Sequence, residues 1–395
     1  MEQQFRQHLD GNYSGDASGI FRLAFVTSLL TLLTLGIYRF WAKTRIRNYI
    51  WSSVRLGDDA FEYTGTGLEK FLGFLVAIVI LALYLAVIQM VLFFFGMNIF
   101  SEPTTMEEMV AQVAATYLTV LAVVPLWFFA VYRARRYKMA RTRWRSIRFG
   151  MEKGAWGYSL RAIGHWILTI LTLGLLLPRQ TFSLEKYMTD RSWYGTAQFT
   201  QGGKWTGLYP AMKHLFIGIA IAVLAVVFLA VEQTVLGGLL FVVGYVWGMV
   251  GMVYYRVRAF GYLTDNKRLG GDVGFQASPR TGEVIRIVFL GSLGIAVAAA
   301  VLFGMAGVIF AGVVATASGA PSPAILILPA LAYVAALLMV GALSLSMIIQ
   351  PLIRHVVETL NVDDAHGLNL IRQRAYDDGA DAEGFADALD VGGAI

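Results

Sequence analysis

Apolar and polar positions alternate along this chain on the scale of whole membrane crossings. Six stretches, roughly 71–95, 110–132, 212–231, 236–254, 287–314 and 325–349, are long and free of Asp, Glu, Lys and Arg apart from Lys213 at one edge. At 1.5 Å per helical residue each is long enough for about 30 Å of hydrocarbon. Lipid offers the backbone no hydrogen-bond partners, so these stretches are predicted to be helices. The pattern predicts an all-α polytopic membrane protein with six full transmembrane helices.

Two further apolar stretches, about 23–38 and 162–178, are shorter, and charge decides how they are read. The turn at 96–109 carries Glu102, Glu107 and Glu108 and no base, and the turn at 232–235 carries Glu232 and no base. The segment 133–148, by contrast, holds Arg133, Arg135, Arg136, Lys138, Arg141, Arg143, Arg145 and Arg148. With six spans and both termini inside, every Lys and Arg falls on the cytoplasmic side. With eight spans and 133–148 inside, Arg256, Arg258, Lys267, Arg268, Arg280 and Arg286 move outside, against the positive-inside rule. The two short segments are therefore predicted to be re-entrant or interfacial. Arg22 and Arg39 bracket the first, Arg161 and Arg179 the second, and each has a Gly near its C-terminal end. An alternative topology has the first segment crossing, which places Arg6 and Arg22 outside.

The short segments are also copies. Leu30-Thr31-Leu32-Leu33-Thr34-Leu35-Gly36 matches Leu168-Thr169-Ile170-Leu171-Thr172-Leu173-Gly174, and the same offset pairs Tyr49 with Tyr187, Gly57 with Gly195, Phe61 with Phe199 and Gly65 with Gly203. A fainter third echo pairs Arg55-Leu56-Gly57 with Arg268-Leu269-Gly270. The expected organisation is a polar cytoplasmic N-terminus (1–18), a first repeat (19–132), a basic cytoplasmic linker (133–157), a second repeat (158–256), a third cytoplasmic stretch with its helical hairpin (257–352) and a cytoplasmic acidic tail (353–395). The aromatic, Thr and Gly alternation around Phe61–Gly67 and Thr196–Gly203 fits short strands or surface loops.

Composition agrees with the pattern: 57% of the 395 residues are hydrophobic and 15% charged, where soluble proteins carry nearer a quarter charged. There is no Cys, which excludes disulfides, thiolate metal sites and cysteine nucleophiles. The N-terminus is polar and lacks the layout of a signal peptide. The net charge of +6 divides into −6 over residues 361–395 and so +12 over the rest. A basic body suits anionic phospholipid headgroups.

The run Thr34-Leu35-Gly36-Ile37-Tyr38-Arg39-Phe40-Trp41-Ala42-Lys43-Thr44-Arg45, with Phe61-Glu62-Tyr63, Gly65-Thr66-Gly67 and the closing Glu383-Gly384-Phe385-Ala386-Asp387, resembles the YjgN-like family. This bacterial inner-membrane family is classed under a domain of unknown function. The resemblance runs from about residue 11 to the C-terminus. It implies an inner-membrane location and brings no activity or catalytic residue with it.

The span interiors carry no ionisable side chain, which argues against a proton-driven pump. No phosphate-binding Gly loop, no Gly-x-Ser-x-Gly elbow and no metal-ligand spacing of His occurs, so no enzyme and no cofactor are expected. What is left is a candidate solute or lipid site: Thr34, Gly36, Thr172 and Gly174 in a shared depression, Trp41, Lys43 and Arg45 at its basic, aromatic rim, and Gln89 in the first span. Two functions compete. One is a transporter or channel-like protein for a small or amphipathic solute. The other is a lipid-binding or membrane-organising scaffold without transport. Nucleic acid is not an expected partner.

Overall fold

A computed structural model describes residues 8–316 and 325–374. In chain order the elements are β1 (Leu9–Tyr13), α1 (Ala17–Leu33), α2 (Arg39–Ser53), β2 (Val54–Leu56), β3 (Asp59–Tyr63), α3 (Gly67–Phe94), α4 (Met106–Ala140), β4 (Thr142–Trp144), β5 (Ile147–Met151), α5 (Ala155–Leu171) and α6 (Leu177–Thr189). There follow β6 (Ser192–Tyr194), β7 (Ala197–Gln201), a 3₁₀ segment (Trp205–Met212), α7 (Lys213–Ala230), α8 (Thr234–Asp265), β8 (Lys267–Leu269), β9 (Val273–Ala277), α9 (Thr281–Thr316) and α10 (Ile327–Ser344). A π-helical turn (Leu345–Ile349), α11 (Gln350–Glu358), β10 (Leu360–Asp363) and a second 3₁₀ segment (Ala365–Leu370) close the described fold. The turn between the apolar stretches 287–314 and 325–349 and the acidic stretch of the tail lie largely outside the described residues.

Among the described residues six helices are long and apolar enough to span a membrane: Gly67–Phe94, Met106–Ala140, Trp205–Ala230, Thr234–Asp265, Thr281–Thr316 and Ile327–Glu358. In each, no more than 17% of the most apolar window is buried inside the protein. Apolar side chains that face outward along a whole helix need lipid as their solvent. The six spans therefore stand where the charge-free stretches placed them, extended at the basic ends by polar turns. One such extension reaches into the expected linker: residues 133–140 finish α4, and β4 and β5 follow directly.

The chain forms two compact units, which are described separately. Of the described residues, the first contains 8–61, 202–267, 272–316 and 325–366. Here β1 pairs antiparallel with β2 (Gly11 with Leu56, Tyr13 with Val54) and with β10 (Leu9 with Val362), and β10 pairs with β9 (Val362 with Phe275). α1 packs against α2 and α10, and α7 against α8. The α7–α8 contact is backbone on backbone. A Cβ on Gly218 would stand 2.9 Å from the Gly248 nitrogen, one on Gly244 3.0 Å from the Ala222 nitrogen, and one on Gly251 2.9 Å from the His214 carbonyl carbon. Small residues allow this approach, which is how helices gain contact where lipid removes the hydrophobic drive.

Of the described residues, the second unit contains 62–201, 268–271 and 367–374. Its strands run β4 to β5 (Trp144 with Ile147), β5 to β6 (Phe149 with Tyr194) and β6 to β7 (Tyr194 with Ala197), all antiparallel. Tyr132, Met151, Tyr158, Ala162 and Met188 form a buried core between α4, α5, α6 and β5. Pro125 interrupts α4, and neighbouring side chains donate to carbonyls around it: Tyr84 Oη to Ala122 at 2.8 Å and Ser159 Oγ to Pro125 at 2.7 Å.

One local arrangement recurs through both units. An aromatic residue stands five positions before each of β2, β4, β6, β8 and β10: Tyr49, Tyr137, Tyr187, Tyr262 and His355. In four cases its polar atom bonds the backbone of the residue three positions after the preceding β1, β5, β7 or β9. Tyr49 accepts from Asp16 N and donates to Asp16 O, both at 3.0 Å. Tyr187 donates to Gly154 O at 3.0 Å. Tyr262 accepts from Lys204 N at 3.0 Å and donates to Lys204 O at 2.9 Å. His355 Nε2 accepts from Arg280 N at 2.9 Å. Tyr137 instead donates to Glu69 Oε2 at 3.1 Å, and Glu69 closes a capping box with Thr66, three residues after β3.

Candidate functional site

The two short apolar segments fold alike. In each, a 17-residue helix (α1 or α5) ends in a five-residue turn, and a shorter helix (α2 or α6) packs back against it. Thr34 Oγ1 donates to Leu30 O at 2.9 Å and accepts from Tyr38 N at 2.9 Å. Thr172 Oγ1 donates to Leu168 O at 2.7 Å and accepts from Leu176 N at 3.2 Å. Gly36 N donates to Thr31 O and Gly174 N to Thr169 O, each at 2.7 Å. Leu35 and Leu173 adopt the left-handed backbone at φ 51° and 50°, followed by Gly36 and Gly174 at φ 92° and 88°. A left-handed Leu is strained, and the turn's shared hydrogen bonds hold it there.

This geometry gives the threonines a structural task. Each hydroxyl both donates and accepts within its own turn. What the turns present is apolar: Leu35 is 95% and Leu173 86% exposed, and Leu33, Ile37, Leu171 and Leu175 beside them are also exposed. The sequence pattern singled out the Thr and Gly of each turn. The leucines that carry the exposed surface are present in both copies, but in the sequence nothing distinguishes them from the apolar residues around them.

Thr34 and Gly36 lie in the first unit together with Trp41, Lys43 and Arg45 on α2. Thr172, Gly174 and Gln89 lie in the second. Trp41 stacks on Tyr38 at 6.3 Å between ring centroids, and Arg45 donates to Tyr38 Oη at 3.0 Å. Gln89 Nε2 donates to Thr119 Oγ1 at 2.8 Å, which bonds α3 to α4. At the foot of α1, the Gly19 backbone N–H holds the Asp16 carboxyl below the usual carboxylate range.

The basic cluster 133–148 is partly structural. Arg135 forms a two-point ion pair with Glu185 at 2.8 and 3.1 Å, Arg136 Nε donates to Met151 O at 2.9 Å, and Arg141 pairs with Glu69 at 3.1 and 3.2 Å. Burial, then the neighbouring Arg143 and Arg141 charges, pull Arg148 below the ordinary arginine value. Cationic crowding of that kind is relieved by anions. Among the described residues no group of three His, Asp or Glu side chains is placed to hold a metal ion.

Six lipid-facing spans, polar turns rich in Arg and Tyr, and two short hairpins with apolar tips define a multi-pass α-helical membrane protein. The chain belongs to a family described as bacterial protein of unknown function (DUF898), whose sequence pattern matches residues 8–297. It is also 34% identical over 77 residues to the inner membrane protein YjgN of Salmonella typhimurium (strain LT2), an alignment covering 20% of each chain. No solved structure matches it.

Proposed function

We propose that this is an inner-membrane, lipid-organising protein, in which six spans anchor two shallow apolar hairpins in one leaflet. The observation that carries this reading is the pair of left-handed Leu–Gly turns. Each displays three exposed aliphatic side chains within a few residues of a base, Arg39 in one copy and Arg179 in the other. Transfer of a leucine side chain from water to hydrocarbon is worth about 1.5–3 kcal/mol, so three per tip suffice to hold a hairpin in the membrane. The adjacent arginine limits the depth, because its head must reach the interface. Trp41, Lys43 and Arg45 then meet anionic headgroups at the root of the first hairpin. The leaflet is the cytoplasmic one, with both termini on that side, since that orientation keeps the bases inside.

The recurring aromatic clamp supports a second structural reading. The chain is built from five copies of one unit, each a strand, a helical hairpin and a second strand. In the copies around α1–α2 and α5–α6 the hairpin is shallow, and in the other three it spans. The half-depth turns also favour an alternative function, passage of a small or amphipathic solute beside them.

Single cysteines at Leu35 and Leu173, carrying an environment-sensitive fluorophore in vesicles, test the main reading. Quenching by lipids labelled near the headgroup is expected at both sites. Water-exposed spectra at both would overturn the hairpin insertion. Solute flux above that of empty vesicles would move the choice to transport.

A further inference from the structure

A groove of about 730 Å³ opens in the first unit where the polar ends of α8 and α9 meet the 3₁₀ segment. It exists because its walls are short. Gly207 and Pro210 form the 3₁₀ side, Gly261 and Ala277 the floor, and a Cβ on Gly261 would stand 3.0 Å from the Ala277 carbonyl oxygen. Tyr254, Arg258 and Arg280 supply its chemistry.

The charge at this groove is predominantly positive. Lys213 Nζ lies 5.1 Å and the Arg258 guanidinium 5.6 Å from the centre of the Tyr254 ring, so two cations share one tyrosine. Arg280 stands at the start of α9 on the same groove, its backbone N–H accepted by His355. Among the described residues none of the three cations has an ion-pair partner. Asp265, the acid on the wall, accepts the Ala277 N–H at 2.8 Å. The depth is that of a headgroup. The apolar part of α8 ends at about Tyr254 and that of α9 starts near residue 287, so the groove lies just outside the hydrocarbon, where tyrosines and arginines anchor spans.

We propose that this groove binds the phosphate-bearing headgroup of an anionic glycerophospholipid, with Arg258 and Arg280 holding the phosphate and Lys213 and Tyr254 flanking it. Arginine suits the task because its planar donors pair with two phosphate oxygens at once. The inference rests on the reading that this end of the molecule faces anionic headgroups, and it adds a defined site to that reading.

The test uses the full chain purified in mild detergent, with bound phosphatidylglycerol counted by native mass spectrometry against phosphatidylethanolamine. Arg258→Gln with Arg280→Gln is expected to lose one tightly held phosphatidylglycerol and at least tenfold in its apparent affinity. Arg256→Gln is the control. It removes the same charge from α8 two residues away, on a different face of the helix, and is expected to retain the lipid. Equal loss in Arg256→Gln, or full retention in the double variant, overturns the site. A site filled equally well by inorganic phosphate, with no preference for the lipid, overturns the lipid assignment. Fluorophore depth at residues 35 and 173 is read independently, so failure of the groove is distinguishable from failure of hairpin insertion.

Discussion

Tyr49 closes a two-way hydrogen bond on the backbone of Asp16, accepting its N–H and donating to its carbonyl, both at 3.0 Å. Tyr262 does the same to Lys204 in a different part of the chain. In both places a glycine three residues further on makes room. A Cβ on Gly19 would stand 2.8 Å from the Tyr49 hydroxyl, and one on Gly207 would collide with that of Tyr262. Tyr49→Phe and Tyr262→Phe are each expected to cost about 1 kcal/mol or less, the net worth of a typical intramolecular hydrogen bond. Gly207→Ala is expected to cost more, because the ring must move as well. Thermal unfolding in detergent reads all three.

The spans were legible because lipid demands long charge-free runs, and few other environments produce them. The copy at 30–36 and 168–174 was legible because both turns need the same residues, Thr to bond its own helix and Gly to take the left-handed backbone. The recurring clamp was not. Its constant feature is a spacing; the bond reaches backbone in four places and the Glu69 carboxylate in the other, and the aromatic group is Tyr in four places and His355 in the fifth. Its visible traces in the sequence are the Tyr49–Tyr187 pair and the echo at Arg268-Leu269-Gly270, a turn following one of the short strands. The site residues fared unevenly for a similar reason. Thr34 and Thr172 drew attention as polar groups in apolar segments, yet their hydroxyls serve the turns.

The cap at Asp16 carries a pH dependence. Its folded-state pKa is depressed, first by the Gly19 backbone N–H and then by Ser18. A depressed carboxyl contributes stability that is present above the unfolded value and lost as pH falls through the folded one. The contribution therefore disappears in the acid range below about pH 4. Asp16→Asn keeps a capping oxygen and removes the titration. It is expected to flatten the fall in unfolding temperature between pH 5 and pH 3 (roughly the range around the free carboxyl value). An unchanged acid limb in the variant would refute this assignment.

The α7–α8 hairpin is expected to be sensitive at one glycine and tolerant at its neighbour. Gly218 and Gly244 meet backbone on the opposite helix, while a Cβ on Gly248 would meet nothing within 4 Å. Gly218→Leu is expected to destabilise by about 1–3 kcal/mol or more through overpacking, and Gly248→Ala to leave unfolding unchanged. Equal effects at both sites would contradict the observed approach of the two helices.

The Gln89–Thr119 bond is predicted to be structural. Gln89→Leu alone leaves the Thr119 hydroxyl bonded to Ala115 O at 2.7 Å, so the loss is expected to be small, about 0.6 kcal/mol as for other bonds between membrane helices. The double variant Gln89→Leu with Thr119→Val is expected to behave like the single one. A double-mutant cycle in detergent measures the coupling. A large loss of lipid binding or flux without a change in stability would place Gln89 in a functional site instead.

The topology itself can be read with thiols, because the chain has no native Cys. Ser101 lies in the turn between α3 and α4 and is exposed. In the stretch after the second short hairpin, Asp190 is a poor reporter, since its carboxylate pairs with Lys186 at 2.8 Å and accepts the Gln201 N–H at 2.7 Å. Thr200 is exposed and serves better. With six spans, an impermeant maleimide added to intact cells labels Ser101→Cys, and labels Thr200→Cys only after permeabilisation. With eight spans and residues 133–148 inside, the second short segment crosses and both sites are labelled from outside. That outcome would also carry Arg258 and Arg280 to the outer leaflet, so a single pair of labelling reactions decides both how deep α5 and α6 go and which leaflet supplies the lipid.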